Sequence, residues 1–114
     1  MKMLAAMVAM TLLTRPVPAG ASDYLNNSGN ELLAHCEDEN YVNQGVCLGI
    51  VQASWNAVSL IAVMMKRDPC IPDTVTLGQM QEVMLAYMRA HPAERSDNVI
   101  TIMARATRAS WTCE

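Results

Sequence analysis

Four cysteines are the feature of this sequence that most restricts what the chain can fold into. They are Cys36, Cys47, Cys70 and Cys113, in a chain of 114 residues. Ligand pairs of structural zinc sites are usually separated by about two to four residues, and these cysteines lie much farther apart. An even number of cysteines in a small exported domain indicates disulfide bonds. We therefore expect two disulfides and no metal.

The N-terminal segment has the pattern of a secretory signal peptide. Lys2 precedes an uncharged apolar run over residues 3–13, and the small residues of 19–21 follow. A basic start, an apolar stretch of about 7–15 residues and a small-x-small site describe such a peptide. We therefore expect a signal peptide over 1–21 and one helical domain over 22–114. The alternative is an N-terminal anchoring helix, although the apolar run is too short to span a bilayer.

The predicted mature domain is acidic. Removing Lys2 and Arg15 with the signal peptide leaves six basic and eleven acidic residues, which is a net charge of −5. Binding to nucleic acid needs a basic surface that neutralises phosphates, so this composition argues against a nucleic-acid partner. It suits a basic protein partner instead.

Helical spacing of apolar residues continues through the rest of the chain, and no stretch alternates as a strand would. Thr76 and Gln79 have the spacing of a capping box, in which each side chain bonds to the other residue's backbone N–H. Ser28 and Glu31 have the same spacing. The sequence therefore predicts an all-α, four-helix bundle. Its helices cover residues 29–37, 46–66, 77–90 and 92–110.

The longest predicted helix carries no charge over residues 46–65. Its apolar side chains cover most of its circumference, which is typical of a helix that is buried or that crosses a membrane, and its length matches a bilayer. Gln52 and Asn56 inside the run, together with the signal peptide and the paired cysteines, favour a central helix buried in the bundle. We therefore expect no membrane contact after cleavage, with a spanning helix as the alternative.

Helix direction decides how the cysteines pair. The long helix spans about 30 Å, which puts Cys47 and Cys70 at its opposite ends. Cys36 ends the first helix close to Cys47, and the last helix brings Cys113 back to the end that holds Cys70. Bridged cysteines need Cα atoms within about 7 Å of each other. We therefore expect the disulfides Cys36–Cys47 and Cys70–Cys113.

Residue types that carry chemistry do not converge in this sequence. His35 and Cys36 are adjacent, so on a helix their side chains diverge by about 100°, and no Gly-rich phosphate loop is present. We therefore predict no catalytic residue and no cofactor. Met80, Met84 and Met88 share one helical stripe, which indicates core packing or, alternatively, a soft binding groove.

Five stretches of the sequence resemble one known family. They are GNELLAHC (29–36), CLGIVQA (47–53), CIPDTVTLGQM (70–80), YMRAHPA (87–93) and the terminal WTC (111–113). Together they are similar to the Rap/Tai family of periplasmic immunity proteins, which neutralise peptidoglycan amidases of type VI secretion. The resemblance covers nearly all of the predicted mature domain.

The resemblance implies a periplasmic protein, often a homodimer, that is not an enzyme and that blocks a secreted amidase with a protruding loop. The acidic segment 37–45 is predicted to be an exposed loop and is our candidate for that contact, although a charge cluster of this kind can also be a solvated loop. The candidate contact residues are Glu37, Asp38, Glu39 and Tyr41. The alternative functions are a periplasmic chaperone of the acid-stress type and an accessory protein of the cell envelope.

Overall fold

Four α-helices form the part of the chain that the structure, a computed structural model, describes, namely residues 27–113. They are α1 (Gly29–Glu37), α2 (Tyr41–Met64), α3 (Leu77–Ala90) and α4 (Val99–Ser110), with a 3-10 turn at Pro92–Glu94 before α4. Over residues 27–113 there is no β-strand, only an isolated antiparallel bridge between Ser28 and Asn98. The all-α, four-helix prediction is confirmed. The predicted signal peptide lies outside the described residues.

Both predicted disulfides are present. Cys36 and Cys47 join the end of α1 to the first half of α2, with Cα atoms 5.0 Å apart. Cys70 and Cys113 join the segment after α2 to the chain beyond α4, with Cα atoms 5.2 Å apart. The pairing follows from the antiparallel run of the helices, as the sequence predicts.

The start of α3 is capped as predicted, whereas the start of α1 shows only one of the two bonds predicted for its capping box. The Thr76 hydroxyl accepts a hydrogen bond from the Gln79 N–H at 3.2 Å, and the Gln79 side chain accepts one from the Thr76 N–H at 2.9 Å. The Ser28 hydroxyl accepts from the Glu31 N–H at 3.3 Å. These bonds satisfy backbone donors that have no partner inside a helix.

Two predicted boundaries are wrong. α2 begins at Tyr41 rather than at residue 46, because the Asn40 side chain accepts from the Val42 N–H at 2.8 Å and caps the helix there. α4 begins at Val99 rather than at residue 92, because Asn98 caps it in the same way. The exposed loop predicted over 37–45 is consequently reduced to three residues.

Methionines from α3 lie at the centre of the core. Met80, Met84 and Met88 are fully buried, so the prediction of core packing is confirmed and these side chains do not line an open groove. They pack in one cluster with buried residues of the other three helices. These include Leu32, Leu33, Cys47, Val51, Ile102, Met103 and Ala106.

The prediction that the long helix is buried is wrong. α2 packs against each of the other helices, yet its buried residues are only Cys47, Val51 and Ser54. Many of its large apolar side chains are exposed instead. By length and composition α2 is the one helix among residues 27–113 that could cross a membrane, and 17% of its most apolar window is buried. One flank of α2 packs on the bundle, and the other presents apolar groups outward.

The start of α1 docks tightly on the turn that precedes α4. The Gly29 N–H donates to the Asp97 carbonyl at 3.0 Å, and the Asn30 N–H donates to the Arg95 carbonyl at 2.8 Å. A Cβ atom on Gly29 would clash with Cδ1 of Ile102 and would lie 3.0 Å from the Arg95 carbonyl oxygen. Glycine is therefore required here by close approach rather than by backbone conformation.

Gly29→Ala is expected to lower the free energy of unfolding by about 1–3 kcal/mol, because overpacking forces neighbours to shift. Gly78→Ala is the matched control, since the nearest atom to its added Cβ is 4.0 Å away. Alanine is the better helix former by up to about 1 kcal/mol, so the control should be unchanged or slightly stabilised. Urea unfolding with both disulfides intact measures both variants, and equal stabilities would contradict the tight docking.

Candidate functional site

A short acidic loop joins α1 to α2. Glu37 is the last residue of α1, Asp38 and Glu39 follow it, and Tyr41 is the first residue of α2. The Cys36–Cys47 disulfide bridges the two helices on either side of the loop. All four residues predicted to contact a partner therefore lie together at one end of the bundle, on a turn that is fixed at both sides.

The carboxylate of Asp38 organises this loop from within. One oxygen accepts the Asn40 N–H at 2.9 Å, and the other accepts the Asn43 side-chain N–H at 2.7 Å. These two hydrogen bonds, the backbone one first, hold the pKa of Asp38 below its ordinary value. His35 Nδ1 donates to the Asn43 side-chain oxygen at 3.1 Å, which fixes the orientation of Asn43.

Gln44 closes the loop from the helix side. Its side-chain amide donates to the carbonyl of Cys36 at 3.0 Å and to the carbonyl of Asp38. Those carbonyls lie at the end of α1, where helix geometry leaves acceptors without partners. The sequence indicated an amide-rich loop here, and the structure shows instead that Asn43 and Gln44 are helical residues that hold the loop.

The four predicted contact residues differ in what they already bind. Glu37 lies 3.6 Å from Arg89 in an ion pair that is half exposed on both sides, which is worth little in water. The Asp38 carboxylate is occupied by the loop itself. Glu39 is exposed, and Tyr41 is 93% exposed in the first turn of α2. Glu39 and Tyr41 are therefore the side chains most available to a partner.

A second exposed feature runs along the outer face of α2. Val42, Leu60, Val63 and Met64 are between 60% and 74% exposed. On the same face, a Cβ added to Gly45 or to Gly49 would meet no atom within 4 Å. The sequence prediction missed this face, because it gave too little weight to Gln52 and Asn56, which are exposed and lie at helical spacing on the same side of α2 as Gly49 and Leu60. The four-residue spacing of Gly45, Gly49 and Ala53 was a further signal.

A polar cluster next to the core is fully paired and fastens α3 to α4. Arg105 lies 2.9 Å from Glu94 and 2.6 Å from Asp97, and the Tyr87 hydroxyl donates to Glu94 at 3.0 Å. The hydrogen bond to Asp97 raises the pKa of Arg105, and desolvation by burial raises the pKa of Tyr87. Residues 27–113 contain no group of three His, Cys, Asp or Glu side chains that could hold a metal ion.

Comparison with known protein families gives one match. The family described as Rap1a immunity proteins matches residues 28–113. The chain belongs to the Rap1a immunity protein family. The match begins at the Ser28 cap of α1 and ends at Cys113, so it includes all four helices and both disulfides. Comparisons with curated proteins and with solved structures find no match.

Membership in the Rap1a family gives this protein a general role. It is an immunity protein, which implies protection against a secreted toxin through binding, and it suggests an inhibitor rather than an enzyme.

The Asp38 bonds predict how loop stability depends on pH. Because the folded-state pKa of Asp38 is lowered, its contribution to stability is present above the unfolded pKa of about 3.9 and is lost as the pH falls through the folded-state pKa. Asp38→Asn should therefore be less stable than the unchanged protein near neutral pH, and the difference should vanish in acid. Denaturant unfolding from pH 7 to pH 2 measures it. A difference that persists unchanged at pH 2 would contradict a role for the ionised carboxylate.

Proposed function

We propose that this Rap1a family protein is a periplasmic inhibitor of a peptidoglycan amidase delivered by type VI secretion. The observation that carries the proposal is the preorganised acidic loop between α1 and α2. The loop holds its own shape through Asp38, Asn43 and Gln44, and it leaves Glu39 and Tyr41 exposed. An inhibitor that blocks a cleft needs a protruding and rigid contact of this kind.

Rigidity is what gives the loop its value as an inhibitor. Binding costs free energy when loops and side chains must be ordered, and a contact that is already ordered avoids most of that cost. Tyr41 brings a large, rigid ring with few rotatable bonds, and aromatic side chains often dominate binding energy at the centre of an interface. Glu37 and Glu39 would favour rapid association with an enzyme whose cleft has a basic rim.

The proposed location follows from the signal sequence and the disulfides. Residues 1–21 have the signal-peptide pattern, and removal after Ala21 would release the mature chain into the periplasm. Disulfide bonds persist in that compartment, whereas the cytoplasm keeps thiols reduced. The pairs Cys36–Cys47 and Cys70–Cys113 therefore suit an exported protein.

The two alternative functions receive less support. A chaperone of the acid-stress type would dissociate and expose its methionine-rich faces only at low pH, so the burial of Met80, Met84 and Met88 in the folded chain is compatible with it but does not favour it. An accessory envelope protein has no specific observation in its favour. Membership in an immunity family favours the inhibitor over both.

Tyr41→Ala and Glu39→Lys are each expected to weaken binding to the cognate amidase. The expected loss is about 30-fold for Tyr41→Ala, which corresponds to an interface hot spot of about 2 kcal/mol. Asp73→Lys is the control, because it makes the same charge change at an exposed turn before α3. Calorimetric titration measures the affinities. If the control weakens binding as much as Glu39→Lys does, the loop is not the contact.

The amidase and this protein, produced together in living cells, test the proposed compartment. Cells that export the amidase to the periplasm should survive when they produce the full chain. They should lyse when residues 2–21 are deleted, even though the shortened chain inhibits the purified amidase. Protection by the shortened chain would contradict action in the periplasm, and no protection by either chain would contradict the amidase as target.

We further propose that the outer face of α2 joins two copies of the protein. An antiparallel pairing about the midpoint of α2 sets Gly45 of one copy opposite Leu60 of the other, so that a large side chain meets an open space. Small residues at a helix crossing allow close approach of the two backbones. Helices that cross diverge toward their ends, which leaves Tyr41 and the acidic loop accessible. An antiparallel arrangement also brings the acidic end of one copy toward Lys66 and Arg67 of the other.

Gly49→Phe is expected to convert the dimer to a monomer, because the ring would hold the two helices apart. The dimer dissociation constant should rise by about 30-fold or more, as for loss of an interface hot spot. Ala34→Phe is the control, since Ala34 is exposed on a different helix. Sedimentation equilibrium measures both variants. An unchanged protein that stays monomeric at all concentrations would overturn the dimer and leave the amidase proposal standing.

A further inference from the structure

An apolar groove lies between the C-terminal half of α2 and α4, on the flank of α2 that faces the bundle. Its volume is about 710 Å³. Much of the lining of the groove is apolar, and Trp111 belongs to it. The apolar lining residues include Val58, Ile61, Met65, Ile100 and Ala104. This groove is separate from the outer face of α2 and from the acidic loop.

More arginines than carboxylates line the groove, although the protein as a whole is acidic. Arg67, Arg105 and Arg108 line it, with Asp68. Arg105 is paired with carboxylates outside the groove. Within residues 27–113, neither Arg67 nor Arg108 has a carboxylate at ion-pairing distance. The groove therefore fits an occupant that is apolar and carries a negative charge.

The described chain begins beside Val99, the residue before the first residue of α4 that lines this groove. The Asn27 carbonyl accepts the Val99 N–H at 3.0 Å, and Ser28 forms an antiparallel bridge with Asn98. In an antiparallel bridge the two chains run in opposite directions. A step toward the N-terminus in one chain therefore points the same way as a step toward the C-terminus in the other. At Asn27 the described chain therefore runs antiparallel to the segment that leads into α4.

We propose that the first residues of the mature chain, SDYLN over 22–26, occupy the groove. Tyr24 and Leu25 supply apolar side chains for the apolar lining of the groove, and Asp23 supplies the negative charge. The lengths agree. Asp23 precedes Asn27 by four residues, which span about 13 Å in an extended chain, and Arg108 follows Val99 by nine, which rise about 13.5 Å along a helix. Asp23 is thereby placed level with Arg108.

This inference goes beyond inhibition of an amidase and rests only on cleavage after Ala21. Residues 22–26 directly follow the proposed cleavage site, so processing by signal peptidase would release them to dock. The groove would then be covered only in the processed protein. Maturation of the N-terminus would complete the folded surface of the domain.

Trp111 gives a direct readout of the groove. In a Trp55→Phe background it is the only tryptophan, and a mature chain that starts at Ser22 can be compared with one that starts at Asn27. Without residues 22–26, acrylamide should quench Trp111 about twofold more strongly, and the dye ANS should bind to exposed apolar surface. Adding the peptide SDYLNN should restore protection at about millimolar concentration, which is typical of a contact that is normally intramolecular.

Charge variants test the proposed ion pair. Asp23→Asn should partly reproduce the truncated chain, whereas Asp73→Asn, the same change at an exposed turn, should not. In an Arg108→Gln background Asp23→Asn should have no further effect, because the partner is already gone. Equal quenching in the long and short chains would overturn the proposal. Protection of Trp111 that depends on protein concentration would also overturn it, because a second copy would then cover the groove.

Discussion

The Cys36–Cys47 disulfide is the constraint on which the rest of this structure depends. It fixes the end of α1 to the first half of α2 and thereby sets the length and direction of the loop between them. Cys47 is fully buried, and the Gln81 side chain of α3 lies 3.2 Å from its sulfur. The bond is therefore part of the core as well as a link between helices. In the chain-entropy view such a bond stabilises the fold mainly by restricting the unfolded chain.

Much of the fold could be predicted from the sequence, because local signals specify it. The Thr76–Gln79 capping box sets the start of α3, and the spacing of Met80, Met84 and Met88 predicts the buried stripe. The disulfide pairing needs only the order and direction of the helices, which these local signals supply. Where one residue type in one position determines the geometry, the sequence is sufficient.

Other features depend on packing partners that the sequence does not reveal. The run over 46–65 is apolar around most of the helix, so its two polar side chains on one side, Gln52 and Asn56, were a weak sign that this flank of α2 faces outward. The caps Asn40 and Asn98 are a local exception, because asparagine is a common N-cap residue and these two signals for the starts of α2 and α4 were overlooked. The acidic character of the candidate site could be predicted. The role of Asp38 in organising the loop could not be predicted. It depends on the side chains of Asn43 and Gln44, which lie in α2 and donate hydrogen bonds back to the loop.

In the acidic loop, the residues that build the turn differ from those that face outward, and this separation has an evolutionary consequence. Asp38, Asn43 and Gln44 build the turn through bonds among themselves and to the backbone, and none of these bonds involves Glu39 or Tyr41. The two outward side chains are thus free to change without disturbing the turn that carries them. Under the proposed mode of binding, a lineage competing against altered toxins can change recognition by replacing those two residues, while the turn that carries them is kept.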